Sequence, residues 1–562
     1  MKRKVAWLAW LLVVAMVGTV VVTGCAKKPA EPEKKPPVEQ VLNLNLGEEP
    51  PDLDANTSTD QVSFEILNNV MEGLVRVGAG EKIEKGSGLA LDWTVSDDGM
   101  KYTFKLRDAR WSDDKPVTAY DFEYGWKRAL DPNTGSQYAY IMYPVKGAEA
   151  LNSIDPKAPD SAAKIEAAKA ALGVKALDEK TLEVTLESPT PYFISLMAFP
   201  TYYPIRKDII EKFADAYAAE PDKMVYCGPF VIQEWQHESK LVLAKNPKYW
   251  DADKVKLSRI EFVMIKDHNA YMNMFEAGEL DGTGVPGDFI QKYKDAGNLQ
   301  TIPEAVTWYI LFNLKSPVFK NKNMRKAFSL AIDRQDFVDK VLKNMSLPAT
   351  SYTPPSITTP DGKSFAKDMV GELIPKKADP AAAKAALQQG MKELKLKKLP
   401  KIVFLSSDSS VAKKYAAAWQ EMWKQNLGVE VQVDAVAFKV RIDRMSKGDY
   451  DVCMAGWGAD FNDPMTFIDM WVTGGGNNDA GYSNPKYDQL VKEAKATGDQ
   501  AIRFRNMLEC EKIIAEDLPI APVWWPVWNF VEKPYLKGVI RHPVGPDLDW
   551  KYVTVEGKPE KK

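Results

Sequence analysis

The sequence predicts an α/β protein with more than one domain, and three observations support that prediction. At 562 residues the chain is too long for a single hydrophobic core. Apolar residues make up 45% of it and aromatic residues 10%, the composition of an ordinary globular protein. From residue 308 onward, short apolar strand patterns alternate with helical patterns, an alternation that is typical of α/β layers.

The first predicted domain is interrupted by an insertion. Its strands are predicted at residues 41–46, 226–231, 241–244 and 259–264, and its helices at 59–74 and 269–277. Thr59 or Asp60 is the expected N-cap of the first helix, and Gly73 lies near its predicted end. Between these segments come a strand pair at 91–107, a helix capped by Thr118, a helix at 161–172, a strand at 181–186 and a helix near 192–199.

A second domain is predicted to begin at residue 308. Strands are predicted at 308–314, 401–405, 429–433 and 450–457, and helices at 323–332, 334–342, 381–389, 411–425, 438–445, 487–494 and 500–515. The alternation predicts a mainly parallel sheet, in which ligands bind beyond the carboxyl ends of strands. Residues 520–530, with three Trp, are predicted to form a core strand that returns the chain to the first domain.

The stretch at 451–471, DVCMAGWGADFNDPMTFIDMW, carries the strongest candidate site. Its predicted strand ends at Gly456 and Gly458, where the missing Cβ lets another backbone come close. Asp460 follows, beside the apolar face of Trp457 and ahead of a turn at 462–464. A strand edge, an aromatic wall and one acid favour a receptor for an extended chain with a free amine. The alternative is a strand that ends in an Asx turn, with Trp457 in the core.

The N-terminus predicts export. Residues 1–4 are basic, residues 5–22 are apolar without a charge, and Val22-Thr-Gly-Cys25 has the ending of a bacterial lipoprotein signal. We expect cleavage after residue 24 and lipidation at Cys25, followed by a Pro- and Lys-rich extended tether at 25–39. The alternative is a permanent transmembrane helix, since about 18 apolar residues can just span a bilayer.

Charge and residue counts exclude several functions. The formal charge is −3 and becomes −6 once Lys2, Arg3 and Lys4 leave with the leader, which argues against nucleic acid as a partner. The three His and the cysteines make no metal-ligating pattern, so neither a metal nor a cofactor is predicted. Cys227, Cys453 and Cys510 are expected to be buried free thiols, with a disulfide between Cys227 and Cys453 as the alternative.

A series of motifs resembles a known family. YTFKLR (102–107), WSD (111–113), PVTA (116–119) and Asp121-Phe122 occur in the order found in the bacterial extracellular solute-binding proteins of the peptide/nickel class, family 5. Later matches are NPKYW (246–250), Phe312-Asn313, MRKA (324–327), AIDR (331–334), SYTPP (351–355) and YSNPKY (482–487). The resemblance extends from residue 41 to about 535 and is closest to the oligopeptide-binding proteins of ABC importers.

The resemblance implies an architecture and a role. The fold would be the two-lobed, type II periplasmic-binding-protein-like fold with a small extra domain inserted in the first lobe. Residues 40–71, 195–305 and 520–562 would form lobe I, residues 72–194 the inserted domain and residues 306–519 lobe II. The protein would be a monomeric, lipid-anchored, extracytoplasmic receptor without enzymatic activity that passes peptides to an ABC permease.

The resemblance also implies a binding site. Backbone groups of Gly456 to Gly458 would pair with the ligand on one side, and Thr59, Asp60 and Gln61 on the other. Asp460 would hold the ligand's α-ammonium group, and Trp457 and Tyr138 would wall the pocket. The alternatives are that Thr59 and Asp60 only cap their helix and that Tyr138 only packs with its neighbouring tyrosines.

At two positions the chain departs from the family pattern. Met454 stands where the family's peptide receptors often carry Arg, and Thr59 stands where they carry an acid. The two losses are mutually consistent, since they remove both partners of one ion pair. What holds a peptide C-terminus, and therefore which peptide lengths fit, is left open.

Two other functions compete with peptide binding. The same fold could bind another solute, such as an oligosaccharide or a metal chelate, and the 16 Trp would suit sugar stacking. An exported hydrolase is disfavoured because the sequence has no G-x-S-x-G and no H-E-x-x-H motif. Asp460 and Asp463 could serve a glycosidase as a carboxylate pair, but acids that flank a turn are usually caps.

Overall fold

A six-stranded sheet positions the candidate site. The computed structural model describes residues 39–559, of which residues 40–559 form one compact unit. The strands of this sheet lie in the spatial order Leu347–Pro348, Ile520–Trp525, Val306–Phe312, Val452–Gly458, Val403–Ser407 and Gln432–Val436. We call Val452–Gly458 the central strand, because it contains the glycines of the candidate site.

The prediction of a mainly parallel sheet was wrong. The central strand and Gln432–Val436 both lie parallel to Val403–Ser407, as expected for strands joined by crossover helices. The other three pairings are antiparallel, including the pairing of the central strand with Val306–Phe312. An alternation of strands and helices predicts how strands that follow one another in the chain pair. It does not predict these three pairings, because they join segments from distant parts of the chain.

Helices follow the strands of this sheet in the chain, and all of them except Phe365–Val370 and Met465–Ile468 lie close to predicted positions. They are Lys322–Leu330, Arg334–Asp336 continuing as Phe337–Leu342, Phe365–Val370, Pro380–Glu393, Ser410–Leu427, Phe438–Ser446, Met465–Ile468, Pro485–Lys495 and Gln500–Asp517. Several begin at a side-chain cap, as Ser410–Leu427 does where the Ser409 hydroxyl accepts from the Ala412 N–H.

Two further large sheets of the described residues lie outside both the six-stranded sheet and the predicted insertion. A four-stranded sheet has the order Val41–Asn45, Arg259–Val263, Lys240–Lys245 and Phe230–Gln236, and a three-stranded sheet has the order Gly282–Gly284, Val527–Glu532 and Gln300–Pro303. The predicted single strand at 520–530 is therefore two strands, which separate at Pro526 because proline cannot donate to a ladder. Three of the described helices accompany these sheets: Gln61–Val70, His268–Glu276 and Gly287–Asp295. The described part of the chain also has three two-stranded sheets. Val77–Gly78 pairs with Lys82–Ile83, Leu536–Lys537 with Thr554–Val555, and Ile540–Arg541 with Leu548–Asp549.

The predicted insertion has a sheet of its own. Its strands lie in the order Ala90–Val95, Lys101–Leu106, Thr181–Thr185 and Val174–Asp178. Helices Ala119–Leu130, Ala148–Asn152, Ser161–Ala171, Phe193–Leu196 and Lys207–Phe213 and short 3-10 turns at Ala139–Met142, Pro200–Tyr202, Ala214–Ala216 and Pro221–Lys223 surround or follow it. The exact boundaries of the lobes and of the insertion stay a prediction.

The first helix is shorter than predicted and shows why one glycine is present. It ends at Val70, so Gly73 lies beyond it and does not cap it. A Cβ on Gly73 would come within 2.5 Å of the Met197 carbonyl oxygen. Gly73 is therefore needed for the close approach of two backbones.

Tryptophan and cysteine serve the core. The largest fully buried side chains include Trp111, Trp126, Trp419, Trp423, Trp471 and Trp550. Cys227, Cys453 and Cys510 are buried free thiols, as expected, and form no disulfide.

The leader, Cys25 and almost all of the tether lie outside the described residues, so their predicted roles stay predictions. Between residues 39 and 559, no helix is both long enough and apolar enough to cross a membrane.

Candidate functional site

The central strand presents an open edge. One edge pairs with Val306–Phe312 along its whole length, whereas the other pairs with Val403–Ser407 only at Val452 and Cys453. The Ala459 N–H donates to the Ala305 carbonyl on the paired side. Because backbone groups alternate in direction along an antiparallel ladder, Gly456 and Gly458 direct their N–H and C=O groups to the open side. This edge can accept one more extended chain.

Packing explains both glycines of that edge. A Cβ on Gly456 would lie 2.9 Å from Cδ2 of Trp308, whose ring stacks on Trp524 at 5.3 Å. A Cβ on Gly458 would lie 3.0 Å from Nε2 of Gln61. The absence of side chains therefore lets neighbouring groups lie close to the strand while the strand edge stays open.

Asp460 lies just beyond the central strand, with 9% of its surface exposed. Its carboxylate accepts hydrogen bonds of 3.2 Å from the Tyr138 hydroxyl and 3.2 Å from the Thr466 hydroxyl. Burial raises the pKa of Asp460 to about 8, against the opposing effect of these two bonds. Near neutral pH, deprotonation of this acid would therefore be favoured by a neighbouring cation.

Two aromatic rings form one wall. Trp457 and Tyr138 stack with ring centroids 5.8 Å apart and an angle of 15° between their planes. The Trp457 Nε1–H donates to the Thr466 carbonyl at 2.9 Å, which fixes the indole. Phe64 contacts the Tyr138 ring edge-on at 5.6 Å. Both predicted wall residues thus lie beside Asp460, although each is largely buried and also packs as a core residue would.

The start of the helix Gln61–Val70 faces the open edge. The Asp60 carboxylate caps this helix by accepting from the Ser63 N–H and hydroxyl, as the capping alternative predicts, and burial raises its pKa to about 6. Gln61 donates to the Gly545 carbonyl at 3.1 Å, but its buried Oε1 has no hydrogen-bond partner among the described residues. Thr59 lines the same space. Gln61 thus offers a free acceptor opposite Gly458.

A cavity of about 330 Å³ joins these residues. Its lining includes Thr59, Asp60, Gln61, Tyr138, Gly456, Trp457, Gly458 and Asp460. Met454 is the predicted site residue that does not line it. Met454 is buried in the core under the sheet and borders a second cavity of about 690 Å³. The two cavities adjoin, because Glu304, Trp308, Phe438 and Arg441 line both of them.

The sequence did not reveal several residues of the first cavity. They include Glu304, Trp308, Phe438, Arg441, Asp479 and Asp547. Burial raises the pKa of Glu304 to about 8 and those of Asp479 and Asp547 to about 7. In sequence these acids resemble any exposed acid in a loop. For Arg441 the sequence does contain a relevant pattern. Its spacing places it on the same helix face as the apolar Phe438 and Met445, which is unusual for an exposed arginine.

The side chains of Asp463 and Asn478 are occupied by bonds within the protein. Both carboxylate oxygens of Asp463 lie 2.9 Å from Nη2 of Arg503, and one also accepts from the Met465 N–H. Asp463 is therefore a structural partner of Arg503, which disfavours it as the second acid of a glycosidase pair. Asn478 bonds to the Val472 and Tyr482 carbonyls and orders its loop, while Asn477 reaches the cavity.

Comparison with known proteins gives consistent matches. Residues 86–479 match the family described as "Bacterial extracellular solute-binding proteins, family 5 Middle". The dipeptide-binding protein DppE of Bacillus subtilis is 36% identical, with 98% of this chain and 99% of DppE covered. The oligopeptide-binding protein OppA of the same organism is 37% identical, with coverages of 97% and 98%.

Solved structures confirm the predicted two-lobed periplasmic-binding-protein-like fold. Listeria monocytogenes OppA bound to peptide superposes with a TM-score of 0.85 at 35% identity, covering 92% of this chain and 99% of that protein. The agreement extends over nearly all of the described residues.

Proposed function

The chain belongs to family 5 of the bacterial extracellular solute-binding proteins, and we propose that it captures oligopeptides by their backbone and N-terminal amine and delivers them to an ABC permease. The observation that carries this proposal is the open edge of the central strand beside the buried Asp460. A receptor for peptides of many sequences must bind what all peptides share, namely the main chain and the charged ends.

The main chain of the ligand would add a strand to the sheet. Gly456 and Gly458 turn their backbone groups toward the cavity, and the Gln61 Oε1 lies opposite without a partner among the described residues. A peptide that bonds to both sides would bridge segments far apart in the sequence. Such contacts form together only when the two lobes are closed, so binding would stabilise the closed state.

The α-ammonium group would bind Asp460. A charge-assisted hydrogen bond in a closed cavity contributes about 1.5 to 3 kcal/mol, or one to two decades in affinity. Tyr138 and Thr466 already hold the carboxylate in place, so little ordering remains to be done when the amine arrives. Trp457 and Tyr138 would exclude water from the pair.

The remaining elements of the proposal concern location. Cleavage after residue 24 and lipidation at Cys25 would anchor the protein to the outer face of a membrane, and residues 25–39 would act as its tether. The folded body would then reach a permease as a monomer. The proposal includes no chemical reaction.

The second candidate is the same fold with another solute. The Trp excess that suggested sugar stacking is largely used in the core, and among the Trp between residues 39 and 559 only Trp308 and Trp457 line the first cavity. A buried acid with a raised pKa also suits an amine better than a neutral sugar. Both observations favour peptide.

Isothermal titration tests the proposal. Short peptides with a free amine are titrated against their N-acetylated forms, and the free forms should bind about 10- to 100-fold more tightly. Equal affinities for the free and the N-acetylated peptides would show that the protein does not recognise the α-ammonium group. Binding of oligosaccharides or metal chelates in place of peptides would support the second candidate.

A further inference from the structure

Arg441 is a buried cation at the far end of the open edge. It is 5% exposed and lies on the face of the helix Phe438–Ser446 that lines the first cavity. Its Nη1 donates to the Met454 carbonyl at 2.7 Å, while its buried Nε has no hydrogen-bond partner in the described residues. The guanidinium therefore retains donor capacity beside the cavity.

No carboxylate between residues 39 and 559 forms an ion pair with Arg441 within 4 Å. Its charge acts from farther away on the carboxylates of Asp479 and Glu48. A buried cation without a paired anion is costly, so the site favours an anion from elsewhere. The face of Phe438 lies 5.1 Å from the guanidinium and offers only a partial counter-charge.

Other buried arginines have their partners within the protein. Arg76 pairs with Glu72 and Asp549, and Arg503 pairs with Asp463. Arg334 has no paired acid, but its Nε donates to the Pro522 carbonyl and its other nitrogens donate to further oxygens. Arg441 differs from these in lacking both a paired acid and a partner for Nε.

We propose that Arg441 binds the C-terminal carboxylate of the peptide and thereby sets the preferred ligand length at about three to five residues. This inference rests on the proposed function, since it needs a peptide whose amine is held by Asp460. The ligand would run antiparallel to the central strand, with its amine beyond Gly458 and its carboxylate near Met454. Arg441 would thus replace the cation that the family often carries at position 454.

The length follows from the geometry of the strand. Arg441 is fixed at the carbonyl of Met454, and Asp460 follows six residues later, so at about 3.3 Å per residue the two ends are at most ~20 Å apart. Both side chains reach into the cavity and shorten that span. An extended peptide of three to five residues covers about 10 to 17 Å.

The competing arrangement is a longer peptide that passes Arg441 into the second cavity. Sequence similarity does not decide between the short and the long peptide. This chain is nearly equally identical to DppE, which is named for dipeptides, and to OppA, which is named for oligopeptides. In that arrangement Arg441 would only support the strand through the Met454 carbonyl, and a free carboxylate would add nothing to affinity.

The test titrates the full-length protein with neutral peptides of two to eight residues, each with a free or an amidated C-terminus. We expect the tightest binding at three to five residues and a loss of about 10- to 100-fold on amidation. Arg441→Gln should weaken the free acids to the level of the amides, and Arg441→Lys should keep part of the difference. The matched control is Arg444→Gln on the same helix, whose guanidinium already pairs with Asp434 and Asp449.

Three outcomes would overturn the proposal: an amidation effect below twofold, equal losses for acids and amides in Arg441→Gln, or octapeptides that bind as tightly as tetrapeptides. If Arg441→Gln does not fold, the wild-type amidation series and Arg441→Lys still decide. Failure of the proposed function looks different, because then N-acetylation has no effect or no peptide binds.

Discussion

The Tyr138 hydroxyl donates a 3.2 Å hydrogen bond to the Asp460 carboxylate, although the two residues are 322 positions apart in the chain. Tyr138 lies in the region predicted as an insertion, and Asp460 follows the central strand of the six-stranded sheet. The candidate site is therefore complete only when these two distant segments meet, which is what a receptor that closes over its ligand requires.

Tyr138→Phe should weaken binding of free-amine peptides by about 2- to 10-fold. The change removes a donor worth about 0.5 to 1.5 kcal/mol and so makes the Asp460 carboxylate harder to ionise. Titration of one tetrapeptide against both proteins measures the effect. The control is Tyr140→Phe, because the Tyr140 ring stacks on Tyr138 at 5.8 Å but Asp460 accepts its bonds from Tyr138 and Thr466. Equal losses in the two variants would mean that packing, not the hydrogen bond, accounts for them.

Affinity should rise with pH between about 6 and 8. In the free protein the pKa of Asp460 is raised to about 8 by burial, so the acid is largely protonated at pH 6, while a peptide amine with a pKa near 7.7 to 8.0 is already charged. Binding of the ammonium favours the ionised acid, so complex formation at pH 6 must release a proton. Above about pH 8 the amine loses its charge and affinity should fall again.

Titration in two buffers with different ionisation enthalpies measures this proton release. The Asp460→Asn variant should show a much smaller release at pH 6. If the wild type takes up protons at pH 6, or if its affinity is flat from pH 6 to 8, Asp460 is not the group that ionises on binding.

Gly456→Ala should destabilise the protein by about 1 to 3 kcal/mol. The new methyl group would meet the Trp308 ring at 2.9 Å, and that ring is held by its stack on Trp524. Gly458→Ala is the comparison, because its nearest neighbour is the far end of the flexible Gln61 side chain at 3.0 Å. Urea unfolding should rank Gly456→Ala well below Gly458→Ala in stability. The reverse order would show that the Trp308 ring yields more easily than Gln61 does.

The sequence predicted those parts of the site that are contiguous in it. Gly456, Gly458 and Asp460 come from one stretch with a strong local pattern, and the structure puts all three on one cavity. Thr59, Asp60, Gln61 and Tyr138 came from resemblance, and they too line that cavity. Whether each of these residues contacts a ligand stays a prediction.

What could not be predicted depends on contacts between distant segments. The antiparallel pairing of the central strand with Val306–Phe312 joins elements about 140 residues apart, and no local pattern encodes it. For the same reason Glu304 and Asp547 gave no sign of lining the cavity, since burial comes only with the fold. Met454 lies on the same face of the central strand as Gly456 and Gly458, but it packs in the core and borders the second cavity, not the first, so its predicted ligand contact stays a prediction.

A double-mutant cycle on Asp460 tests the central claim most directly. One tetrapeptide, with its amine free or N-acetylated, is titrated by calorimetry against the wild type, Asp460→Asn and a control, Asp443→Asn, whose acid is exposed and pairs with Lys447. The account predicts that Asp460→Asn weakens the free-amine peptide by about 10- to 100-fold and the acetylated peptide by less than threefold. Equal losses for both peptides, or no loss for either, would contradict it.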